Sequence, residues 1–175
     1  MGSVTPDKND GRGTAGEESW KSRYPGKCWI QIVIEAVYVG VMFVAGFIIV
    51  FFVVKQQKGG LGIAQEQWVR TVPMLVSLAG GWIGGCLYDM KWLYHSVARQ
   101  IWNRDRILWR IFTPFLSAGA SFIVVSLGVG NIIPFIAEVV KGSISGTIGL
   151  SIVIGYFSDR VFSSLQRVAE NYVTN

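Results

Sequence analysis

The sequence predicts an all-α membrane protein: a four-transmembrane-helix bundle with cytoplasmic amphipathic helices. Three observations carry that prediction. Of 175 residues, 51% are hydrophobic and 15% charged, whereas soluble domains carry about 25% charged residues. The apolar residues fall into long runs, which mark membrane spans rather than a soluble core. The 21 glycines suit membrane helices, where glycine lets backbones approach closely.

Residues 1–26 are mostly Gly, Ser, Asp, Lys and Glu. Such a stretch cannot bury enough surface to fold, so a disordered cytoplasmic arm is expected. Trp20 and Tyr24 near its end suit the headgroup region. No cleavable signal is visible, and Pro6 departs from the myristoylation pattern. The first span is therefore expected to act as its own insertion signal.

That span covers about 29–54. Between Val37 and Val54 it holds thirteen Val, Ile or Phe residues. At roughly −0.3 to −0.6 kcal/mol each they supply about −4 to −8 kcal/mol for insertion. A loop over 55–70 follows, broken by Gly59-Gly60, and its second half is expected to be a short interfacial helix.

The second span, about 72–93, has Pro73 in its first turn, where a missing N–H matters least. It contains two overlapping small-xxx-small pairs, Gly80/Gly84 and Gly81/Gly85. These lie on adjacent helix faces and predict close packing against another helix. From Asp89 to Arg110 the chain turns charged and aromatic. Tyr94, Val97, Ala98 and Ile101 share one arc, and His95, Ser96, Arg99, Gln100 and Asn103 the other. This reads as the second helix continuing into an amphipathic stretch at the cytoplasmic surface.

The third span, about 107–127, has Pro114 near its start and a small-residue face of Ser117, Gly119 and Ser121. Gly128-Val129-Gly130-Asn131 then breaks the helix. The next stretch admits two readings. The favoured one is a fourth span over 134–157 that carries Glu138 and Lys141 in its outer turns. In the other, 132–140 is a surface or re-entrant segment. The clean apolar run is only Ser143–Phe157, about 22 Å of helix against a hydrocarbon core of about 30 Å. Gly142 and Gly146 suggest a second packing face. The tail, 158–175, alternates Val161, Phe162, Leu165, Val168, Ala169 and Tyr172 with polar residues at helical spacing. It predicts an amphipathic cytoplasmic helix with Ser158 as N-cap. The organisation is thus an arm over 1–26, a membrane domain over 27–157 and a tail over 158–175.

Charge sets the orientation. Twelve of the sixteen basic residues lie in or at the edges of the arm, the loop between spans two and three, and the tail; the others are Lys55, Lys58, Arg70 and Lys141. The bias puts both termini in the cytoplasm, and the expected location is a prokaryotic cytoplasmic (inner) membrane. The same reading removes the need for nucleic acid as a partner of the +5 net charge.

Catalytic sets are nearly absent from the sequence. One histidine and two separated cysteines, Cys28 and Cys86, make neither a two-His metal site nor a disulfide framework. GxSxG, Walker-type and HExxH motifs are missing. No enzyme activity, cofactor or metal is expected. Three ionisable features stand out. Glu35 follows Ile32-Val33-Ile34, and a carboxylate at that depth needs a partner, water or a proton; Arg110, Lys91 and Arg160 could supply an ion pair. Glu138 has Lys141 three residues on, at helical pairing distance. Lys91, His95 and Arg99 lie four apart, with Arg106 beyond, and form a basic strip suited to anionic headgroups or an acidic cytoplasmic partner.

Two functions are expected from this reading. One is a non-enzymatic anchor, sensor or effector subunit that docks a cytoplasmic protein through its basic loop and tail. By analogy alone, a bacterial stress or defence system is a natural home. The other is a homo-oligomeric pore, ion channel or small transporter lined by Glu35, Ser143, Thr147 and Ser151. In both, membrane lipid and either a second copy or a larger membrane complex are the partners.

Overall fold

The computed structural model describes residues 24, 26–56 and 65–173, and among these it is helical with no strand. The helices are α1 (Gly26–Gln56), α2 (Gln65–Ala98), α3 (Ile107–Val129), α4 (Pro134–Gly142), α5 (Ile144–Tyr156) and α6 (Ser158–Val173), with a 3-10 turn at Arg104–Arg106 before α3. Three segments are long and apolar enough to cross a membrane: Gly26–Gln56, Thr71–Ala98 and Arg104–Val129. The protein is an integral membrane protein built on these helices. The expected arm lies outside the described residues, apart from Tyr24 and Gly26.

α2 is the centre of the bundle and packs on α1, α3 and α5. α1 is the least covered of the three long helices. Its buried residues are Ile32, Glu35, Val39 and Gly46, a single stripe. The rest of its surface exposes Val33, Val37, Val41, Val44, Phe47 and Phe51. In water such a face would be untenable, but in lipid it needs no protein partner. Gly46 lies against Ile83, and the Trp82 indole donates to the Met42 carbonyl at 3.0 Å, which ties α1 to α2.

Both glycine pairs of α2 do what their spacing predicts, each against a different helix. Gly81 and Gly85 meet Ser121, Ser117 and Pro114 of α3, while Gly80 and Gly84 meet Ser151, Ile152 and Tyr156 of α5. The order of these contacts shows that α3 runs antiparallel to α2 and α5 parallel to it. The small-residue face on α3 is Ser117, Ala118 and Ser121; Gly119 points to open space. Of the glycines in α4 and α5, Gly155 packs on Gly81 of α2, and Gly146 faces Val139 of α4 across the break at Ser143. An added Cβ at Gly142 would meet no heavy atom within 4 Å. Neither Gly142 nor Gly146 packs on α2 or α3, so the second packing face is realised only in the contact of Gly146 with α4.

Several boundaries differ from expectation. α2 already begins at Gln65, so Pro73 sits inside a helix rather than in its first turn; residues 57–64 of the expected loop lie outside the described residues. α2 stops at Ala98, where Gln100 takes a left-handed conformation (φ 59°) and the Gln100 and Ile101 amides close back on Val97 and Ser96. At this end Leu93 and Ser96 are buried, whereas Tyr94 and Ile101 of one expected arc and Arg99, Gln100 and Asn103 of the other are exposed. α3 ends in the same Schellman geometry at Asn131 (φ 59°).

The stretch expected as one helix over 134–157 is two. Ser143 is extended (φ −164°, ψ 139°), and its hydroxyl caps α5 by accepting from the Gly146 amide at 2.9 Å. α4 begins with Pro134 at a position that needs no N–H, and buries Ile136, Ala137 and Val140 against the C-terminal part of α3. α5 has 13 residues, about 20 Å. It lies in the groove between α2 and α3 and delivers the chain to the end of the bundle where α2 finishes.

Candidate functional site

The polar residues gather at one end of the bundle, because three features point there. α1 runs antiparallel to α2, so its N-terminal half lies beside the C-terminal half of α2. α3 starts there too. α5 ends there, with Tyr156 beside Lys91.

At the centre, Arg110 of α3 pairs with Glu35 of α1 through Nη1 and Oε2, and both side chains are 4% exposed. Two further donors complete the carboxylate. The Trp102 indole reaches Oε2 at 3.1 Å, and Gln31, one turn earlier on α1, reaches Oε1 at 3.2 Å. Of the partners expected for Glu35, Arg110 is the one that reaches it. Trp102 is itself placed by Tyr24, whose hydroxyl accepts from the Trp102 amide at 3.2 Å while the rings meet edge to face at 6.0 Å. Tyr24 thus packs on Trp102.

Beside this pair lies Asp89 of α2, with 0% exposure. The charges of Arg110 and Asp159 act on it, and the Thr113 hydroxyl is its neighbour on α3. Thr113 gives its single proton to the Trp109 carbonyl, at 2.8 Å. Both Asp89 oxygens are left without a hydrogen-bond donor among the described residues. Sequence reasoning put Asp89 at the head of a surface cluster. Its burial depends on α3 lying tight against Gly85, which only the assembled bundle reveals.

The basic strip is only partly a strip. Lys91 is exposed, donates to the Tyr156 hydroxyl at 2.8 Å and lies 5.5 Å from that ring's centre. His95 is half-buried and packs edge-on against Tyr94. Arg99 lies one residue beyond α2 and is exposed; Arg106 is exposed and sits over the Trp92 ring at 5.5 Å. Tyr88 joins these residues, its ring 5.7 Å from Trp109 and 5.8 Å from Tyr156. The result is an aromatic cluster rimmed by cations. No protein-family model, curated protein or solved structure matches the chain.

Elsewhere, the pairing expected between Glu138 and Lys141 does not form. Both are exposed, and Lys141 donates to Asn131 at 2.8 Å instead. Thr147 and Ser151, expected to line a path, have 0% exposure and bond to carbonyls one turn back in their own segment, at 3.1 and 2.6 Å. Ser158 is buried with its hydroxyl 3.0 Å from that of Ser117, which fixes the start of α6 to α3.

Proposed function

We propose that this chain is a non-enzymatic, multi-pass membrane subunit that docks an acidic cytoplasmic partner through the cationic end of its bundle. The observation that carries the reading is the contrast between that end and the interior. Lys91 and Arg106 lie against the Tyr156 and Trp92 rings, Arg99 and Arg104 are exposed in the same stretch of chain, and the Ser77, Thr113 and Ser151 hydroxyls inside the bundle are spent on backbone carbonyls. Cations over aromatic faces keep their charge while their stems are held in place, which suits recognition of carboxylates or phosphates.

In this reading α4 and α5 together make the fourth crossing as a broken helix. Such breaks are tolerated at membrane depth where neighbouring helices cover the freed backbone. Both termini and the loop around Arg104 then face the cytoplasm, in keeping with the basic bias, in a prokaryotic inner membrane. The open faces of α1 and α5 leave room for a second copy or a larger complex.

The pore reading draws less support, because Glu35, Thr147 and Ser151 are packed inside a single subunit. One experiment separates the two. Proteoliposomes of the purified protein are expected to carry no ion flux. Cross-linking in native membranes is expected to recover a cytoplasmic protein that is lost when Lys91, Arg99, Arg104 and Arg106 are changed to Glu. Conductance that disappears in Glu35→Ala would reverse the assignment.

A further inference from the structure

We propose that Asp89 is a buried proton-binding site, a carboxyl that takes up and releases a proton beside the Glu35–Arg110 pair. The inference rests on the buried groups alone and is independent of the docking reading.

The geometry around Asp89 points to a proton rather than to another ligand. The titratable and polar groups around it can be named. From α1 come Glu35 and Tyr38, from α3 Arg110 and Thr113, from α6 the exposed Asp159, and from its own helix Cys86. Lys91, two residues on, is turned outward onto Tyr156 of α5. Arg110 is the one cation in this set, and Glu35 already holds it. With Asp89 protonated, the buried trio of Glu35, Arg110 and Asp89 is neutral. With Asp89 ionised it carries an uncompensated negative charge, which a buried intramembrane site strongly disfavours.

The hydroxyl of Thr113 points the same way. Its proton is committed to the Trp109 carbonyl, so toward Asp89 its oxygen can only accept. A carboxylate needs donors, and among the described residues it finds none. A carboxylic acid carries its own proton and has no negative charge to satisfy, so it asks less of such surroundings than a carboxylate does. A metal ion would require several oxygen ligands converging on one point, and Glu35 is engaged elsewhere. A proton requires neither a cavity nor further ligands.

The consequence lies in Arg110. While Asp89 holds its proton, the guanidinium belongs to Glu35 and fastens α1 to α3. When the proton leaves, two carboxylates compete for one cation, and the hold on α1 weakens. Proton binding at Asp89 therefore controls how firmly the peripheral helix is attached.

The test is infrared spectroscopy of the full-length protein in lipid nanodiscs, recorded over a pH series in water and in deuterium oxide. The wild type should show a carboxylic-acid carbonyl band at neutral pH that shifts on deuteration and fades as pH rises. The band should be missing from Asp89→Asn and kept by Glu138→Gln. Asp89→Asn has the shape of the neutral acid, so it should melt within a few degrees of the wild type at neutral pH. A spectrum with no Asp89-dependent band at any pH where the protein stays folded would overturn the proposal. So would a protein whose melting temperature climbs with sodium concentration in the wild type but not in Asp89→Asn, because Asp89 would then be an ionised cation ligand.

Discussion

Glu35 and Arg110, 75 residues apart in the chain, form a salt bridge between α1 and α3 in which both side chains are buried. α1 otherwise packs mainly on α2, and this pair, with the Trp102 indole on Glu35 and the Tyr38 hydroxyl on the Ile111 carbonyl, ties it to α3 and the segment before it. Removing a single partner leaves a buried charge uncompensated, which costs about 3–5 kcal/mol. Glu35→Ala and Arg110→Ala should each lower stability by that order. A double substitution with Leu at 35 and Met at 110 should recover most of the loss, since two apolar side chains leave nothing unpaired. Unfolding in mixed micelles, arranged as a double-mutant cycle, measures the coupling. Strictly additive losses would mean the pair contributes nothing as a pair.

The contacts of Gly84 give a sharper contrast. A Cβ there would strike the Ile152 carbonyl oxygen and the Tyr156 amide, both backbone atoms that cannot turn aside. Gly84→Ala should therefore force α5 off α2 and cost about 1–3 kcal/mol. At Gly149, on the open side of α5, an added methyl would meet no heavy atom within 4 Å. Gly149→Ala should be neutral or stabilising by up to about 1 kcal/mol, because alanine restricts the unfolded helix. A loss at Gly149 comparable to that at Gly84, together with a change in oligomer size by light scattering, would place a second copy of the chain against that face.

These residues also show what could be read from the sequence. The three long spans were legible because hydrocarbon leaves so few options: a long apolar run must be a helix. The Gly80/Gly84 and Gly81/Gly85 pairs were legible because helical spacing alone puts them on adjacent faces. Glu35 drew attention through the cost of its depth, and Arg110 was among its possible partners. Asp89 was misplaced because nothing local distinguishes a carboxyl at a helix end from one covered by a neighbouring helix. The break at Ser143 had a signal, a Ser just before an apolar run, but the apolar residues on both sides read more naturally as one span. Gly142 carried the same small-residue signal as the α2 pairs and meets no neighbour, while Gly146 meets only Val139 across the break, so spacing shows where packing is permitted, not where it happens.

The cap at Ser143 has its own consequence. Its hydroxyl receives the Gly146 amide, a donor at the start of α5 with no carbonyl one turn back within that helix. Ser143→Ala should cost about 1 kcal/mol, and Ser143→Asp should restore it. Hydrogen exchange at the Gly146 amide is the local readout. It should quicken in the Ala variant while the amides of α2 stay protected. Uniform quickening across the bundle would instead mean that α5 is part of the global folding unit from its first turn.

The exposed stripe of α1 leads to a test that involves no stability measurement. Nitroxide labels at Val33, Val37, Val41 and Val44 should be accessible to oxygen dissolved in lipid, because these positions are uncovered. Labels at Val39 and Gly46 should be shielded and disruptive, since those positions face α2. Val41→Arg should hinder insertion by roughly 2.5–3.5 kcal/mol, the cost of a cation near the centre of a span. If labels at Val33 and Val37 were shielded in membranes but accessible in dilute detergent, another subunit would be covering α1.

The topology follows from how α5 is laid down. Because α5 runs parallel to α2 and ends beside Lys91, the start of α6 shares one end of the bundle with the Arg104–Arg106 turn. The start of α1 joins them, through Tyr24 on Trp102. If the chain is seated in the membrane as it is packed, single cysteines at Asn103 and Ser163, introduced with Cys28 and Cys86 changed to Ser, should react together. Neither should react with an impermeant maleimide applied to intact cells, and both should react once the inner face is opened. A cysteine at Lys58, in the linker between α1 and α2, should show the opposite pattern. If positive charge sets this orientation, replacing Arg99, Arg104 and Arg106 with Gln should produce a mixed population at Asn103. Labelling of Ser163 from outside, with Asn103 still protected, would mean that α4 and α5 never cross and that only three helices span the bilayer.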